Sequence, residues 1–76
     1  MDYEKFIKLV KEKYDKMLER EDEEEREEYF NSEEAQEAIK ESYDIAKKKL
    51  KEGEITERIF ENGVVDSLVY CLYMMY

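Results

Sequence analysis

Apolar side chains that recur every three or four residues constrain this chain more than any other feature of its sequence. In the first part of the chain such a stripe is formed by Tyr3, Ile7, Val10, Tyr14 and Met17. This spacing places the apolar side chains on one face of an α-helix and most lysines and glutamates on its other faces. The pattern therefore predicts an amphipathic helix over residues 3–20.

A second amphipathic helix is predicted over residues 33–52. Asn31 and Ser32 are both short polar residues that can cap a helix start, and acidic residues follow them in the first turn. The pattern leaves both residues open as the cap. A narrow apolar stripe follows, and lysines crowd the last turn, where positive charge is favourable. Gly53 is the predicted C-terminal cap.

The most apolar part of the chain comes last, and we predict a third helix over residues 56–75. Thr56 can cap its start, and two adjacent apolar stripes follow at helical spacing. One stripe contains Cys71, which we expect to be buried. The dipeptide Asn62-Gly63 indicates a hairpin turn instead, and strand-forming residues follow it. The helix is favoured because the sequence has no second strand-like segment to pair with this one.

These three segments predict an all-α fold, a small antiparallel three-helix bundle in a single domain of 76 residues. An acidic segment, residues 19–34, joins the first two helices. Within it, residues 20–28 allow two interpretations: the first helix extends to residue 28, or it frays. We expect fraying, because like charges four residues apart and acidic residues near a helix C-terminus both oppose the extension.

The negative charge of the chain is concentrated in this acidic segment. The chain has 22 acidic and 13 basic residues and a net charge of −9. Residues 19–34 hold ten acidic residues and two arginines, a net charge of −8. Charge gathered in this way predicts a surface that attracts a basic partner. The candidate partner-binding residues are Glu19, Glu21, Asp22, Glu23, Glu24, Glu25, Glu27, Glu28, Glu33 and Glu34.

The composition excludes several kinds of site. Without histidine the chain cannot build a His-based catalytic triad or a Glu-x-x-His metal centre, and one cysteine forms no internal disulfide. Direct nucleic-acid binding is disfavoured because phosphate contacts need a basic surface. Asp66, on the most apolar helix, is the only acidic candidate for acid–base chemistry, and the role of a surface or interface hydrogen-bond acceptor for a neighbouring tyrosine is favoured over it. We expect a protein that is not an enzyme and has no metal and no cofactor.

In size and charge the chain resembles the small acidic inhibitors that bacteriophages direct at host defence or nucleic-acid enzymes. Some of these are CRISPR–Cas inhibitors that act as nucleic-acid mimics. The resemblance is one of composition and transfers no residue. It implies a viral protein in the host cytoplasm that occupies a basic, nucleic-acid-handling surface of its partner. The alternative is that the acidic segment is a solvated face that offsets the apolar third helix.

A second functional hypothesis starts from the apolar end of the third helix. Its apolar side chains exceed what two thin helices cover, which indicates a homodimer or docking into a larger assembly. The candidate interface residues are Val69, Leu72, Tyr73, Met75 and Tyr76. The apolar run over residues 64–76 is shorter than the roughly 20 residues that span a bilayer. The N-terminus lacks a signal-peptide pattern, so we expect no membrane partner and a cytoplasmic location.

Overall fold

The computed structural model describes residues 2–75, which form four helices and no strand. Three are α-helices: α1 at Tyr3–Met17, α2 at Glu23–Phe30 and α3 at Glu33–Lys51. The fourth, α4, begins at Glu57–Ile59, passes through a π-helical turn at Phe60–Val64 and continues as Val65–Met75. The all-α class is confirmed. The expected count of three helices is wrong, because the acidic segment forms a helix of its own.

The acidic segment is helical because a new helix start suits its charge. Asp22 caps α2, and its carboxylate accepts hydrogen bonds from the backbone N–H groups of Glu24 and Glu25 at 2.9 and 3.2 Å. Acidic side chains in the first turn of a helix interact favourably with its dipole, whereas at the end of a longer α1 they would oppose it. Both interpretations of residues 20–28, extension of the first helix and fraying, are therefore wrong.

The caps of α3 set where it begins and ends. Of the two candidates, Ser32 is the cap: its hydroxyl accepts a hydrogen bond from the backbone N–H of Ala35 at 3.2 Å. Asn31 ends α2 instead. After the last turn of α3, Gly53 adopts a left-handed conformation with φ of 79°, which a glycine reaches without strain. The predicted cap at Gly53 is confirmed.

α1 and α3 run in opposite directions along the bundle. The Tyr43 ring of α3 lies 5.3 Å from the Phe6 ring, near the start of α1. Phe30, just before α3, has its ring 5.2 Å from that of Tyr14, near the end of α1. Short connections between successive helices favour this antiparallel arrangement.

The last helix, α4, supplies the centre of the core. Thr56 caps it as predicted, its hydroxyl accepting a backbone hydrogen bond at 3.2 Å. Phe60 is fully buried, with its ring 5.6 Å from that of Phe6 and 5.8 Å from that of Tyr43. The chain from there to residue 75 is helical, so the helix was the right choice over the strand. Among the described residues the buried side chains are Phe6, Val10, Tyr14, Leu18, Phe30, Ala35, Ile39, Tyr43, Ala46, Phe60, Val65, Leu68, Val69 and Leu72.

Candidate functional site

α2 is attached to α1 through its inner face, and its outer face points away from the bundle. Phe30 is buried and packs against the ring of Tyr14. The Tyr14 hydroxyl donates a hydrogen bond to the backbone carbonyl of Arg26 at 2.9 Å. The Arg26 guanidinium donates to the carbonyl of Leu18 at 3.0 Å, in the turn between α1 and α2. These contacts hold the outer face of α2 in one orientation.

A second link between α1 and α2 passes through Lys11. Its ammonium group pairs with Asp15 on α1 and with Glu27 on α2, and lies 5.3 Å from the centre of the Phe30 ring. Burial acts to lower the pKa of Lys11, but the hydrogen bonds to Asp15 and Glu27 outweigh it and raise the pKa above its ordinary value. The negative charge of the Glu27 carboxylate is therefore paired with an ammonium group of the same chain.

Eight of the ten predicted partner-binding carboxylates remain exposed and uncommitted. Asp22 caps α2 and Glu27 pairs with Lys11, so these two serve the fold. Within residues 2–75 none of the other eight takes part in an ion pair. We refer to them as the acidic surface: Glu19, Glu21, Glu23, Glu24, Glu25, Glu28, Glu33 and Glu34.

The acidic surface is densest on α2. Glu24 and Glu25 lie four and three residues before Glu28, so each is a neighbour of Glu28 on the helix surface, with Cβ atoms about 5–6 Å apart. Glu33 and Glu34 form the first turn of α3, immediately after α2 ends, and extend the surface. Because these charges lie close together at one end of the bundle, their fields add and act on a charged partner over a long range.

The residues predicted to form an oligomer interface are divided between the core and the surface. Val69 and Leu72 are 1% and 0% exposed, because α4 packs its apolar stripes against α1 and α3. They therefore cannot form the predicted interface in the folded chain. Tyr73 and Met75 are exposed at 45% and 57%. Tyr76 lies outside the described residues.

Sequence reasoning missed the two cations that position α2. The Arg26 guanidinium donates hydrogen bonds to backbone carbonyls and lies 3.6 Å from Asp15, contacts that residue spacing within α2 does not indicate. Lys11 looked like one more lysine on the polar face of α1. The sequence contains one signal. Residues 19–34 contain ten acidic residues and only two cations, and an arginine inside such an acidic run indicates a structural contact.

The structure also contains an apolar groove between α3 and α4 that the sequence did not predict. Its volume is about 610 Å³, and its walls include Ile45 and Ile59, which are 51% and 47% exposed. Cys71 lines the same groove and is exposed, so the expectation of a buried thiol is wrong. The reason is that Ile45 lies beside the apolar stripe of α3 rather than on it, which leaves this side of α4 partly uncovered.

Asp66 does not have the surroundings that acid–base chemistry requires. Its side chain is 62% exposed and pairs with Lys13 of α1, so it is not enclosed in an apolar pocket. In the part of the chain that the structure describes, no group of three or more acidic or cysteine side chains is arranged to hold a metal ion. No helix between residues 2 and 75 combines the length and the apolar character needed to cross a bilayer.

Comparison with known proteins adds no assignment. No protein-family model, curated protein or solved structure matches the chain. The acidic surface and the groove are therefore the two features of the molecule that bear on its function.

Proposed function

We propose that the protein is a non-enzymatic binding module that occupies a basic, nucleic-acid-handling surface of a partner protein. The acidic surface is the contact, and the protein acts as a nucleic-acid mimic or inhibitor. One observation carries the proposal: eight exposed carboxylates, which have no ion-pair partner within residues 2–75, lie on and beside a helix that internal contacts hold in one orientation.

The charge density of α2 supports mimicry of a nucleic-acid backbone. Between residues 23 and 28 four exposed glutamates follow one another on a helix that rises about 1.5 Å per residue. This gives about one carboxylate per 2 Å of helix axis, close to the one phosphate per roughly 1.7 Å of duplex axis. Carboxylates also accept the paired hydrogen bonds of arginine side chains that otherwise bind phosphates. A groove that binds a phosphate backbone therefore suits this helix.

The contacts beneath α2 favour a binding surface over a merely solvated face. Glutamates that only keep a chain in solution need no fixed orientation, and a flexible segment would serve. Here Tyr14, Arg26 and Lys11 each connect α2 to α1 through a hydrogen bond or ion pair. A preorganised charged surface loses less conformational freedom when it binds, which strengthens the complex.

The resemblance in size and charge to small acidic phage inhibitors favours an inhibitory outcome. A partner whose basic groove is filled by carboxylates cannot bind nucleic acid in the same groove at the same time. We accordingly place the protein in the cytoplasm of the cell in which it acts, with a nucleic-acid-binding protein or complex as its target.

Capture of partners from a lysate tests the proposal. The immobilised protein is incubated with nuclease-treated lysate at low salt, and bound proteins are eluted first with salt and then with an oligonucleotide. We expect a nucleic-acid-binding protein that both eluents release, because salt screens the contact and the oligonucleotide competes for the groove. Retention of that protein in the presence of saturating oligonucleotide would contradict mimicry.

A matched pair of charge variants separates the acidic surface from net charge. The test variant replaces five exposed glutamates with Gln: Glu21, Glu23, Glu24, Glu25 and Glu28. The control makes the same five replacements elsewhere, at Glu4, Glu12, Glu37, Glu52 and Glu54, which are also exposed. We expect loss of the captured protein with the test variant and near-normal capture with the control. Equal loss of capture in the test and control variants would mean that net charge alone, and not the acidic surface, determines binding of the partner.

The alternative function, a helical homo-oligomerisation or assembly module, is favoured by a different observation. At the end of α4, Tyr73, Met74 and Met75 are all at least 45% exposed, an apolar group that a partner could cover. Light scattering of a Tyr73→Glu variant tests this contact. A mass equal to that of the unmodified protein, with unchanged helix content, would exclude self-association through the end of α4.

A further inference from the structure

The groove between α3 and α4 leaves apolar side chains in contact with water. Ile45 of α3 and Ile59 of α4 both line it, and each exposes about half of its surface. Glu41 and Lys49 lie along the α3 side, one turn before and one turn after Ile45. Neither Glu41 nor Lys49 forms an ion pair within residues 2–75. An apolar centre flanked by two opposite charges is thus available to a partner.

We infer that this groove binds a second copy of the chain. In the dimer the two α3 helices lie antiparallel across a two-fold axis near Ile45, and Ile45 of each copy fills the groove of the other. Such an interface is formed by the same surface on both copies and closes on itself. The inference concerns a surface separate from the acidic surface and does not depend on the proposed function.

Charge complementarity selects a second copy as the occupant. Across a two-fold axis at residue 45, positions equally distant before and after that residue face each other. Glu41 and Lys49 are each four residues from Ile45. The dimer therefore brings Glu41 of each copy opposite Lys49 of the other and forms two intermolecular ion pairs from side chains that form none within residues 2–75 of a single copy.

The wider charge pattern of α3 favours the same antiparallel arrangement. Residues 33–42 contain four glutamates and one lysine, a net charge of −3, whereas residues 43–51 contain four lysines and one aspartate, a net charge of +3. Antiparallel packing places the negative half of each helix beside the positive half of the other. Parallel packing would place like charges together and is opposed by the aligned helix dipoles.

The side chains beside the axis are small enough for two helices to approach. On α3 the groove is lined by Ala38 and Ser42, and on α4 by Gly63 and Ser67. Interaxial distances in packed helices are about 8–10 Å and depend on the side chains at the contact, so small residues permit the closer approach. Ile45 then has room to contact Ile59 of the second copy.

The net charge of −9 does not prevent this dimer, because most of the charge lies far from the axis. Glu33 is 12 residues from Ile45, which corresponds to about 18 Å along α3. The acidic surfaces of the two copies therefore point to opposite ends and are about 36 Å apart. That distance exceeds the Debye length of about 8 Å at physiological ionic strength.

Sedimentation equilibrium with two apolar-to-lysine variants tests the interface. Ile45→Lys places a charge at the axis, whereas Met17→Lys makes a similar change at an apolar side chain of α1 that is 45% exposed and lies outside the groove. We expect dimers for the unmodified protein and for Met17→Lys, and a monomer for Ile45→Lys with unchanged circular dichroism. A monomer for the unmodified protein up to about 1 mM overturns the inference. So does a dimer that survives Ile45→Lys or that is lost in Met17→Lys.

A charge exchange tests the antiparallel register. Glu41→Lys and Lys49→Glu each place two like-charged pairs across the axis, and each is expected to weaken the dimer about tenfold. The double variant exchanges the two charges and restores the pairs, so its affinity should return to within about threefold of the original. Double-variant affinity no better than that of the single variants contradicts this register.

Cys71 provides an independent readout in the unmodified chain, since it is the sole cysteine and lines the groove. Its reaction with a thiol reagent should slow as protein concentration rises, and this protection should disappear in Ile45→Lys. Reaction rates independent of concentration in a sample shown to be dimeric would place the interface elsewhere.

Discussion

α2 and the second part of α4, Val65–Met75, are helices of similar length that are held in place by different means. Val65–Met75 buries four apolar side chains, whereas α2, with eight residues, buries Phe30 alone. In place of a buried stripe, α2 has a cap at Asp22 and polar links through Arg26 and Lys11. α4 is fixed by the core, and α2 is fixed by its ends and by a few charged contacts.

The difference shows how a strongly acidic segment can be ordered and still exposed. A helix that packs an apolar stripe against the core buries that face, which is then not available to a partner, as at Val69 and Leu72 of α4. A helix anchored by a cap, one aromatic ring and two cations keeps most of its surface in water. This is the property that a charged binding surface requires, and each contact that supplies it can be removed separately.

The largest expected effects come from the two phenylalanines that anchor these helices. Phe60→Ala should lower the free energy of unfolding by about 3–5 kcal/mol, because it opens a cavity among Phe6 and Tyr43 at the centre of the core. Phe30→Ala should act more locally and release α2. Urea denaturation followed by circular dichroism measures the loss of unfolding free energy in Phe60→Ala. Amide hydrogen exchange over residues 23–30 measures the release of α2 in Phe30→Ala. Uniform loss of exchange protection in Phe30→Ala would contradict a separately anchored α2.

A smaller effect is expected from the arginine that closes the turn between α1 and α2. Arg26→Gln removes the charged hydrogen bond to the Leu18 carbonyl and should lower the free energy of unfolding by about 1–2 kcal/mol. Arg20→Gln is the matched control, because Arg20 is exposed in the same acidic segment and should change stability by less than about 0.5 kcal/mol. Equal losses in the two variants would mean that net charge, and not the contact, sets stability.

The two glycines should respond to alanine with opposite signs. Gly53→Ala forces a side chain into the left-handed conformation and should cost about 1 kcal/mol. At Gly63 an added Cβ would lie 3.6 Å from the Ile59 side chain, an ordinary contact, so alanine should stabilise α4 by about 0.5–1 kcal/mol. Thermal unfolding at low protein concentration measures both changes. A loss of stability in Gly63→Ala would indicate that the helical turn there depends on the glycine.

The smallest effect is expected at alkaline pH. Burial, with a further contribution from Glu34, raises the pKa of Tyr29 above its ordinary value of 10.0. The folded chain then holds this proton more tightly than the unfolded chain, so the stabilisation is complete below about pH 10 and is lost as pH rises through the pKa of the folded state. Lys11 has a raised pKa and acts in the same direction.

Urea unfolding of the unmodified protein and of Tyr29→Phe across this alkaline range measures the contribution of Tyr29. The variant should lose less stability, because its side chain does not ionise. Parallel pH profiles, or stability that rises with pH, would contradict the assigned direction.

The local sequence predicts those parts of the fold that local interactions determine. The stripe from Tyr3 to Met17 and the caps at Thr56 and Gly53 all lie where the spacing and residue types indicate. α2 was missed because its order depends on Tyr14 of another helix and on a start at Asp22. When these two contacts are not known, the like-charge pairs within residues 20–28 predict that the segment is not a stable helix.

The candidate site was predictable in composition but not in detail. Glutamates in a long charged run lie in water, since nothing local can neutralise so many of them. Glu27 differs from the other glutamates because it pairs with Lys11. The local sequence could not predict this pair, since Lys11 lies 16 residues earlier on a different helix. The groove at Ile45 and Cys71 was also unpredictable, since it depends on how far apart α3 and α4 lie.

The most direct test of the central claim is the salt dependence of binding to the captured partner. The dissociation constant is measured between low and physiological salt for the unmodified protein and for the two five-Gln variants described above. If the acidic surface makes the contact, affinity falls steeply with salt for the unmodified protein and the control, and the slope becomes markedly shallower in the variant with changes at α2. Identical slopes for all three proteins would show that the carboxylates of α2 do not meet the partner.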